Sequence, residues 1–348
     1  MRYKFYTTSE TAWAAQLEAI KNARHSILWE IYGLAGDTAG YDFIGALAAK
    51  ASAGITVKLI IDRVGSVWLS RGDRERLTAA GVEVRWWNSL FWNTHRKMLV
   101  VDEYICFIGG VNVREPFRRW RDLHIELRGK IARSFVRAFV RSYRRTGGED
   151  HAVLEKARVN YWHNALPGSA KHWFLDHWPA KRASALRRYY KAAIRHAKKS
   201  VVVVTPYFSP HRWLIKALRA AVMRGARVEI IIPRRVDIAV TEAMNHFFAT
   251  TLTPMGIRFL FLPTMNHAKV LLIDDTEGMV GSNNIHARSF DFNVEGSVVF
   301  QRKDMVGDLK EIIARWRTEA EVFDPKTYRG KWWWKPAQWI GQMLLPIL

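Results

Sequence analysis

From residue 95 the chain reads HRKMLVVDEYICFIGGVN, and from residue 267 it reads HAKVLLIDDTEGMVGSNN. Each phrase sets a histidine two places before a lysine, then four apolar residues, an aspartate, a Gly-Gly or Gly-Ser pair, and an asparagine. His95, Lys97, Asp102, Gly109 and Asn112 map onto His267, Lys269, Asp274, Gly281 and Asn284 at a constant offset of 172 residues. The apolar runs 98–101 and 270–273 read as buried strands closed by an aspartate at a turn. On a strand, residues two apart share a face, so each histidine lies beside its lysine. Two copies brought face to face offer two imidazoles, two ammonium groups and two amides around one pocket.

That set of groups suits phosphoryl chemistry. Lysine and asparagine donate hydrogen bonds to the non-bridging oxygens of a phosphodiester and stabilise the charge that develops during displacement, with no metal required. Imidazole is nucleophilic and titrates near neutral pH, so one histidine can attack phosphorus while the other protonates the leaving oxygen. The result is a double displacement through a covalent phosphohistidine. One His-x-Lys before an apolar strand is commonplace and usually structural. Two at a fixed offset are not. Asp102 and Asp274 join the catalytic set in a weaker role, orienting and electrostatic, because an aspartate closing a strand is often only a turn former.

The elements around the phrases repeat as well. AWAAQLEAIKNARHSILWEIYG and RRYYKAAIRHAKKSVVVVTPYF each pass from helical spacing into a short apolar strand, at Ser26 and Ser200. FIGALAAKASAGITVKLIID and LIKALRAAVMRGARVEIIIP each read as an amphipathic helix ended by a glycine and followed by a β-branched strand. This alternation predicts an α/β fold of two pseudo-symmetric halves, each a mostly parallel sheet flanked by helices, with the active site at their interface. The halves are placed at 1–145 and 185–325, with a connecting segment at 146–184 and a tail at 326–348.

Composition narrows the partner. A formal charge of +22 over 348 residues points to an anionic surface or substrate: phospholipid head groups, nucleic acid or another phosphorylated compound. The single cysteine, Cys106, excludes an internal disulfide and reads as a core residue. No cysteine and histidine spacing resembles a zinc site, so neither metal nor cofactor is expected. No apolar run reaches the ~20 residues that a spanning helix needs, and no secretory signal is visible at the start of the sequence. The tail, KWWWKPAQWIGQMLLPIL, combines tryptophan with lysine in the manner of a membrane-interface anchor; packing back on the core is the alternative.

Both phrases resemble the His-x-Lys-x4-Asp-x6-Gly-Gly/Ser signature of the phospholipase D superfamily, and the resemblance covers nearly the whole chain. RWRDLHIELRG (119–129) and GSNNIHARSFDFNVEGSVV (281–299) resemble segments of bacterial cardiolipin synthases, the second placing Ser289, Asn293 and Glu295. The resemblance implies His95 as nucleophile and His267 as general acid and then base, flanked by Lys97 and Lys269. Asn112, Asn284, Ser282 and Glu295 are expected to bind or support the phosphate. It further implies transfer of a phosphatidyl group to phosphatidylglycerol, giving cardiolipin and a small alcohol, with phosphatidylethanolamine as another donor. Many members carry two N-terminal transmembrane helices that are not seen in this sequence, so a peripheral enzyme on the cytoplasmic side of the inner membrane is expected. Hydrolysis of phospholipid, cleavage of nucleic acid and non-catalytic lipid binding are the competing readings. The second lacks a recognisable nucleic-acid motif, and the third does not explain two complete sets of polar residues.

Overall fold

The computed structural model describes residues 1–89, 92–157, 172–179 and 184–326. The first half contains β1 (Arg2–Thr8), α1 (Ser9–Lys21), β2 (Ser26–Ile31), α2 (Phe43–Ser52), β3 (Thr56–Asp62), α3 (Arg71–Ala79), β4 (Glu83–Trp87), β5 (Lys97–Val101), β6 (Ile105–Gly109), β7 (Arg121–Arg128) and α4 (Ala132–Arg145). A short helix α5 (His151–Glu155) and a strand β8 (His172–His177) follow. The second half contains α6 (Ala185–His196), β9 (Ser200–Val204), β10 (Phe208–Ser209), α7 (Arg212–Met223), β11 (Arg227–Pro233), α8 (Ala239–Leu252), β12 (Ile257–Leu262), β13 (Val270–Ile273), β14 (Glu277–Gly281), β15 (Ile285–His286), α9 (Ala287–Asp291), β16 (Glu295–Phe300), α10 (Lys303–Glu319) and β17 (Glu321–Val322).

Local chemistry accounts for the elements. Thr8, Ser70 and Ser184 cap α1, α3 and α6 by accepting amide hydrogens from the first turn. Along α4, Phe135, Val136, Phe139, Val140 and Tyr143 recur at three- and four-residue spacing and are buried, while Arg133, Arg137, Arg141 and Arg144 face outward. Strands β2, β5, β9 and β13 are buried along their whole length, as expected for central strands covered on both faces.

The strands form two large mixed sheets, ordered β1-β7-β6-β5-β2-β3-β4 and β17-β12-β11-β9-β13-β14-β16-β8. Two α/β halves are present as expected, but the sheets are not mostly parallel. Among the described residues of these two sheets only β2–β3, β3–β4, β9–β11 and β11–β12 run parallel, and β10 pairs with β15 in parallel as a separate two-stranded sheet. From each repeated phrase onward no crossover helix intervenes, and the strands return as antiparallel hairpins: β5 with β6, and β13 with β14. The connecting segment also differs from the sequence reading, since β8 adds to the edge of the second sheet by pairing with β16.

Strands β6 and β7 meet β14 and β16 between the halves. A central core is shared there, including Met98, Val100 and Ile108 from one half and Val270, Val280 and Val298 from the other, and it is closed by α4 and α10. Each half has a second core under its outer helices. The repeated phrases therefore enter the interface on buried, doubly covered strands, which fixes their histidines at the junction. Beyond residue 326 the tail falls outside the described residues. Among those described, no helix is long and apolar enough to cross a membrane.

Candidate active site

Backbone pairing across the halves holds both histidines. The His95 amide donates to the Val294 carbonyl at 2.8 Å, and the Val294 amide donates to the Asn93 carbonyl at 2.8 Å. In the other half the His267 amide donates to the Arg121 carbonyl at 2.7 Å, and the Arg121 amide to the Met265 carbonyl at 3.3 Å. The residue that follows each partner, Glu295 or Asp122, then meets the imidazole. His95 Nδ1 donates to both Glu295 oxygens at 3.1 Å, and His267 Nδ1 donates to Asp122 Oδ2 at 2.9 Å. Each histidine is thus oriented by a carboxylate from the opposite half, so neither half holds a complete site.

Both carboxylates are ionised. Burial alone would raise the Glu295 carboxyl, yet His95, Lys97 and the Ser282 hydroxyl outweigh it and hold it well below the usual carboxylate range. Asp122 is lowered in the same way, burial being outweighed by His267 and Lys269. His95 itself is pushed down to about 3, chiefly by burial and in spite of Glu295. His267 is lowered by burial and by Lys269. Each ring is therefore neutral, with its proton on Nδ1 and an unprotonated Nε2 as its reactive edge.

The lysines share the histidines' surroundings. Lys97 Nζ donates to the His95 carbonyl at 2.7 Å, and Lys269 Nζ donates to the His267 carbonyl. Among the described residues neither forms an ion pair with a carboxylate, and both are almost fully buried. Burial pushes Lys97 well below the ordinary lysine value and lowers Lys269 to about 7; each lysine also destabilises charge on a neighbour in this cluster. An anionic ligand would offset the burial penalty on the two ammonium groups. Asn112 and Asn284 complete the set, each with a buried side-chain oxygen that has no partner among the described residues. Tyr32 and Tyr207 stand beside the two histidines, with ring centroids 4.8 and 6.2 Å away, and Lys97 Nζ lies 4.8 Å from the Tyr32 ring centre.

Several sequence expectations are corrected by this geometry. Asp102 and Asp274 are not in the pocket. They lie at the opposite ends of β5 and β13, in hairpin turns where both have positive φ, 51° and 52°, a conformation that aspartate tolerates. Asp102 accepts the amide hydrogens of Arg24, His25 and Ser26, and Asp274 those of Lys198, Lys199 and Ser200. They tie the start of β2 or β9 to the hairpin. Ser282, expected to bind or support the phosphate, donates its hydroxyl to Glu295 Oε2 at 2.5 Å. Ser289 Oγ donates to the other oxygen at 2.8 Å. Glu295 accordingly supports His95.

Asp122 was not selected from the sequence, although it stands in the quoted segment RWRDLHIELRG. Its counterpart is Glu295 at an offset of 173, so a one-residue slip and a change from aspartate to glutamate hid the pair. Gly110 belongs to the same arrangement: a Cβ there would come within 2.2 Å of Asp122 Oδ1 and 2.7 Å of the His267 carbonyl, so only glycine allows the two halves to approach. Arg96, between the motif's histidine and lysine, was also passed over. It is fully buried and donates to Glu30, the Ala138 carbonyl, Ser142 and Asp176, and through Nε to the Glu295 carbonyl at 3.2 Å. The second half has Ala268 in its place. Among the described residues, no group of three or more His, Cys, Asp or Glu side chains is arranged as metal ligands.

Comparison with known proteins gives the same direction. A family model described as cardiolipin synthase, PLD-like domain, matches residues 17–139 and 190–317. A cardiolipin synthase A from Pseudomonas putida is 30% identical over 352 residues, covering 95% of this chain and 71% of the relative. A cardiolipin synthase from Alkalihalophilus pseudofirmus is 27% identical over 323 residues, with 88% of this chain covered but 64% of the relative. Among solved structures, a phosphatidylserine synthase from Haemophilus influenzae matches with a TM-score of 0.76 at 16% identity, covering 99% of this chain and 93% of the other. A polyphosphate kinase from Porphyromonas gingivalis matches with a TM-score of 0.65 at 15% identity, covering 99% and 52%. These structural likenesses concern the fold.

Proposed function

The chain belongs to the cardiolipin synthase, PLD-like domain family, and from that premise we propose that it is a phosphatidyltransferase that makes cardiolipin from phosphatidylglycerol. The observation that carries the reading is the exchange of carboxylates between halves: two neutral histidines, each oriented by the other half, beside two buried lysines with no ion-pair partner among the described residues.

In the proposed first step, His95 Nε2 attacks the phosphorus of one phosphatidylglycerol. The bond from phosphorus to the head-group glycerol oxygen breaks, and His267 gives that oxygen its proton, releasing glycerol and leaving a phosphatidyl group on His95. The negative phosphodiester favours protonation of His267 and of both lysines, reversing the effect of burial. Glu295 balances the positive charge of the phosphorylated imidazole, and Asp122 that of protonated His267. In the second step a hydroxyl of another phosphatidylglycerol loses its proton to His267 and attacks phosphorus. The phosphorus–nitrogen bond breaks, cardiolipin forms and His95 is regenerated. Lys97, Lys269, Asn112 and Asn284 hold the phosphoryl oxygens through both steps. The enzyme acts as a peripheral protein on the cytoplasmic face of the inner membrane.

The test is purified protein with phosphatidylglycerol vesicles, with and without phosphatidylethanolamine and a chelator. Cardiolipin and glycerol are expected in equal amounts, regardless of chelation, with a phospholipid adduct on His95 trapped by acid-free quenching. Phosphatidic acid as the sole product would make the protein a hydrolase. Cleavage of DNA with no lipid product would end the lipid reading.

A further inference from the structure

Four large apolar side chains left exposed on the first half lie in the segments that follow β3 and β4. Val64, Val67 and Trp68 follow β3, and Trp92 follows β4; they are 51%, 65%, 59% and 48% exposed. On the second half, Ile238, Val240 and Phe292 are exposed to a similar degree. Isolated apolar residues such as Met223, on the far end of α7, need no explanation, but a group of this kind does.

Six of the seven are tied to the site by a neighbour in sequence, and Val240 lies two residues beyond Ile238. Asp62 accepts the Val64 and Gly65 amides with one oxygen and the Thr94 amide, one residue before His95, with the other. Ser66 Oγ donates to the Tyr32 carbonyl, so the 62–68 loop is fastened to the residue whose ring faces His95. The Arg114 guanidinium lies 4.1 Å from the Trp68 ring centre, and Arg114 is two residues beyond Asn112. Trp92 stands three residues before His95. In the other half Asp237, beside Ile238, accepts the hydroxyl of Tyr207, whose ring faces His267. Phe292 lies two residues before Val294, the backbone partner of His95, and Arg288 on α9 donates to Asn93. The segments that carry these exposed apolar groups are therefore fastened to the surroundings of both histidines, with contributions from both halves.

Cations are set among them. Arg63 and Arg74 line a cavity of about 360 Å³ together with Val67, Leu69 and Trp86. Arg114 stacks on Trp68, and Arg235 is exposed just ahead of Ile238, next to Arg234, which pairs with Glu321. Tryptophan and aliphatic groups interleaved with arginine on a chain of charge +22 match a surface whose outer layer is anionic and whose next layer is hydrocarbon. A nucleic acid would satisfy the arginines but leave Val64, Val67, Ile238 and Val240 without partners.

We propose that these groups form a rim around the mouth of the pocket and that this rim is a docking surface for an anionic phospholipid leaflet, so that the pocket opens directly onto the membrane and its substrates enter without crossing water. The rim supplies this attachment independently of the C-terminal tail. The inference deepens the transferase reading, but docking is measured without turnover, so the two can fail separately.

The experiment uses the full chain and sedimentation with vesicles of equal parts phosphatidylglycerol and phosphatidylcholine. The double variant Val67→Ser, Trp68→Ser and, in the other half, Val240→Asp are compared with Met223→Ser. All four positions are exposed, and unchanged circular dichroism and thermal unfolding confirm folding. Each rim variant is expected to lower the partition coefficient about tenfold or more, the ratio that burial of such side chains supports, while Met223→Ser stays within about twofold of the parent. Equal partition of the parent and both rim variants overturns the proposal. So does binding that is removed by salt yet indifferent to the rim, since that is attachment by charge alone. Cardiolipin formation is followed in the same vesicles: docking that depends on the rim with no lipid product would sink the transferase reading and leave this one standing.

Discussion

Replacing Glu295 with glutamine removes one charge from the site and changes almost nothing in shape. Glu295 is fully buried and accepts from His95 Nδ1, from Ser282 Oγ at 2.5 Å, from Ser289 Oγ at 2.8 Å and from Asn293 Nδ2 at 3.5 Å. A carboxylate has acceptor capacity for all of these; a carboxamide has one accepting oxygen and an NH2 that must face a donor. At least one buried donor is then left unpaired, at about 1–3 kcal/mol. The charge that balances a phosphorylated His95 is lost as well, and a hydrogen bond to a charged group contributes about 1.5–3 kcal/mol. Together these raise the barrier by about 3–5 kcal/mol, or two to four orders of magnitude in kcat. KM for vesicle lipid should change little, because Glu295 faces His95 and not the substrate. The assay is steady-state and single-turnover cardiolipin formation, with circular dichroism to confirm folding. E295D, which keeps the charge, should recover part of the lost rate. A kcat for E295Q within about threefold of the parent would refute the orienting role given to this carboxylate, as would an E295D no better than E295Q.

Three other outcomes follow from the same geometry. Asp102→Ala and Asp274→Ala should each lower stability by about 2–4 kcal/mol, since several amide hydrogens lose a charged acceptor, while kcat stays within about threefold; a large kcat loss in a folded protein would return these aspartates to the pocket. Acid should unfold the protein early. His95 is held at about 3 and His124, His177 and His286 at about 4, all chiefly by burial, against an ordinary 6.5. The unfolded chain takes up these protons and the native chain does not, so the stability they represent is complete above about pH 6.5 and is lost as pH falls below it. The slope is about 1.4 kcal/mol per pH unit for each histidine, and urea midpoints that do not move between about pH 7 and pH 5 would contradict it. Finally, an anionic phosphodiester mimic such as vanadate should bind with uptake of about one proton or more near pH 8, because it restores charge to Lys97 and Lys269; calorimetry in two buffers of different ionisation enthalpy reads this, and no uptake would contradict it.

The chemistry was legible in the sequence because it was written twice. His95, Lys97 and Asn112 recur as His267, Lys269 and Asn284 at one offset, and a strand forces each histidine and lysine to the same face. Strand direction was less legible. Helix and strand alternate up to β4, which suggests parallel crossovers, but the phrase itself is a hairpin whose turn is made by Asp102 and Glu103 at positive φ. The signal was an aspartate between two apolar runs, read as a catalytic candidate when its work is in the turn. Asp122 and β8 were hidden for another reason: each acquires its role from a partner far away in sequence, Asp122 from His267 and β8 from β16. Arg96 occupies the variable place in His-x-Lys and points to the other face of the strand, where periodicity would expect an apolar residue.

Those non-repeated residues also bear on the division of labour between two histidines that the repeat makes nearly equivalent. A nucleophile must stay on the line of attack through the formation and breaking of a bond, whereas an acid and base needs only to pass a proton at its Nε2. His95 meets both oxygens of its carboxylate, and that carboxylate is itself held by two serine hydroxyls. The Tyr32 ring edge closes one side, and Arg96 fixes the backbone of Glu295 from a buried network with Glu30, Ser142 and Asp176. His267 has one oxygen of Asp122, which is supported by the Leu123 amide, and its aromatic neighbours Trp120 and Tyr207 are farther away, at 5.4 and 6.2 Å. Gly110 and Ala268 stand where the His95 side has Ser282 and Arg96. These additional contacts around His95 and its carboxylate support the proposed division of labour, with His95 as nucleophile and His267 as the carrier of the proton.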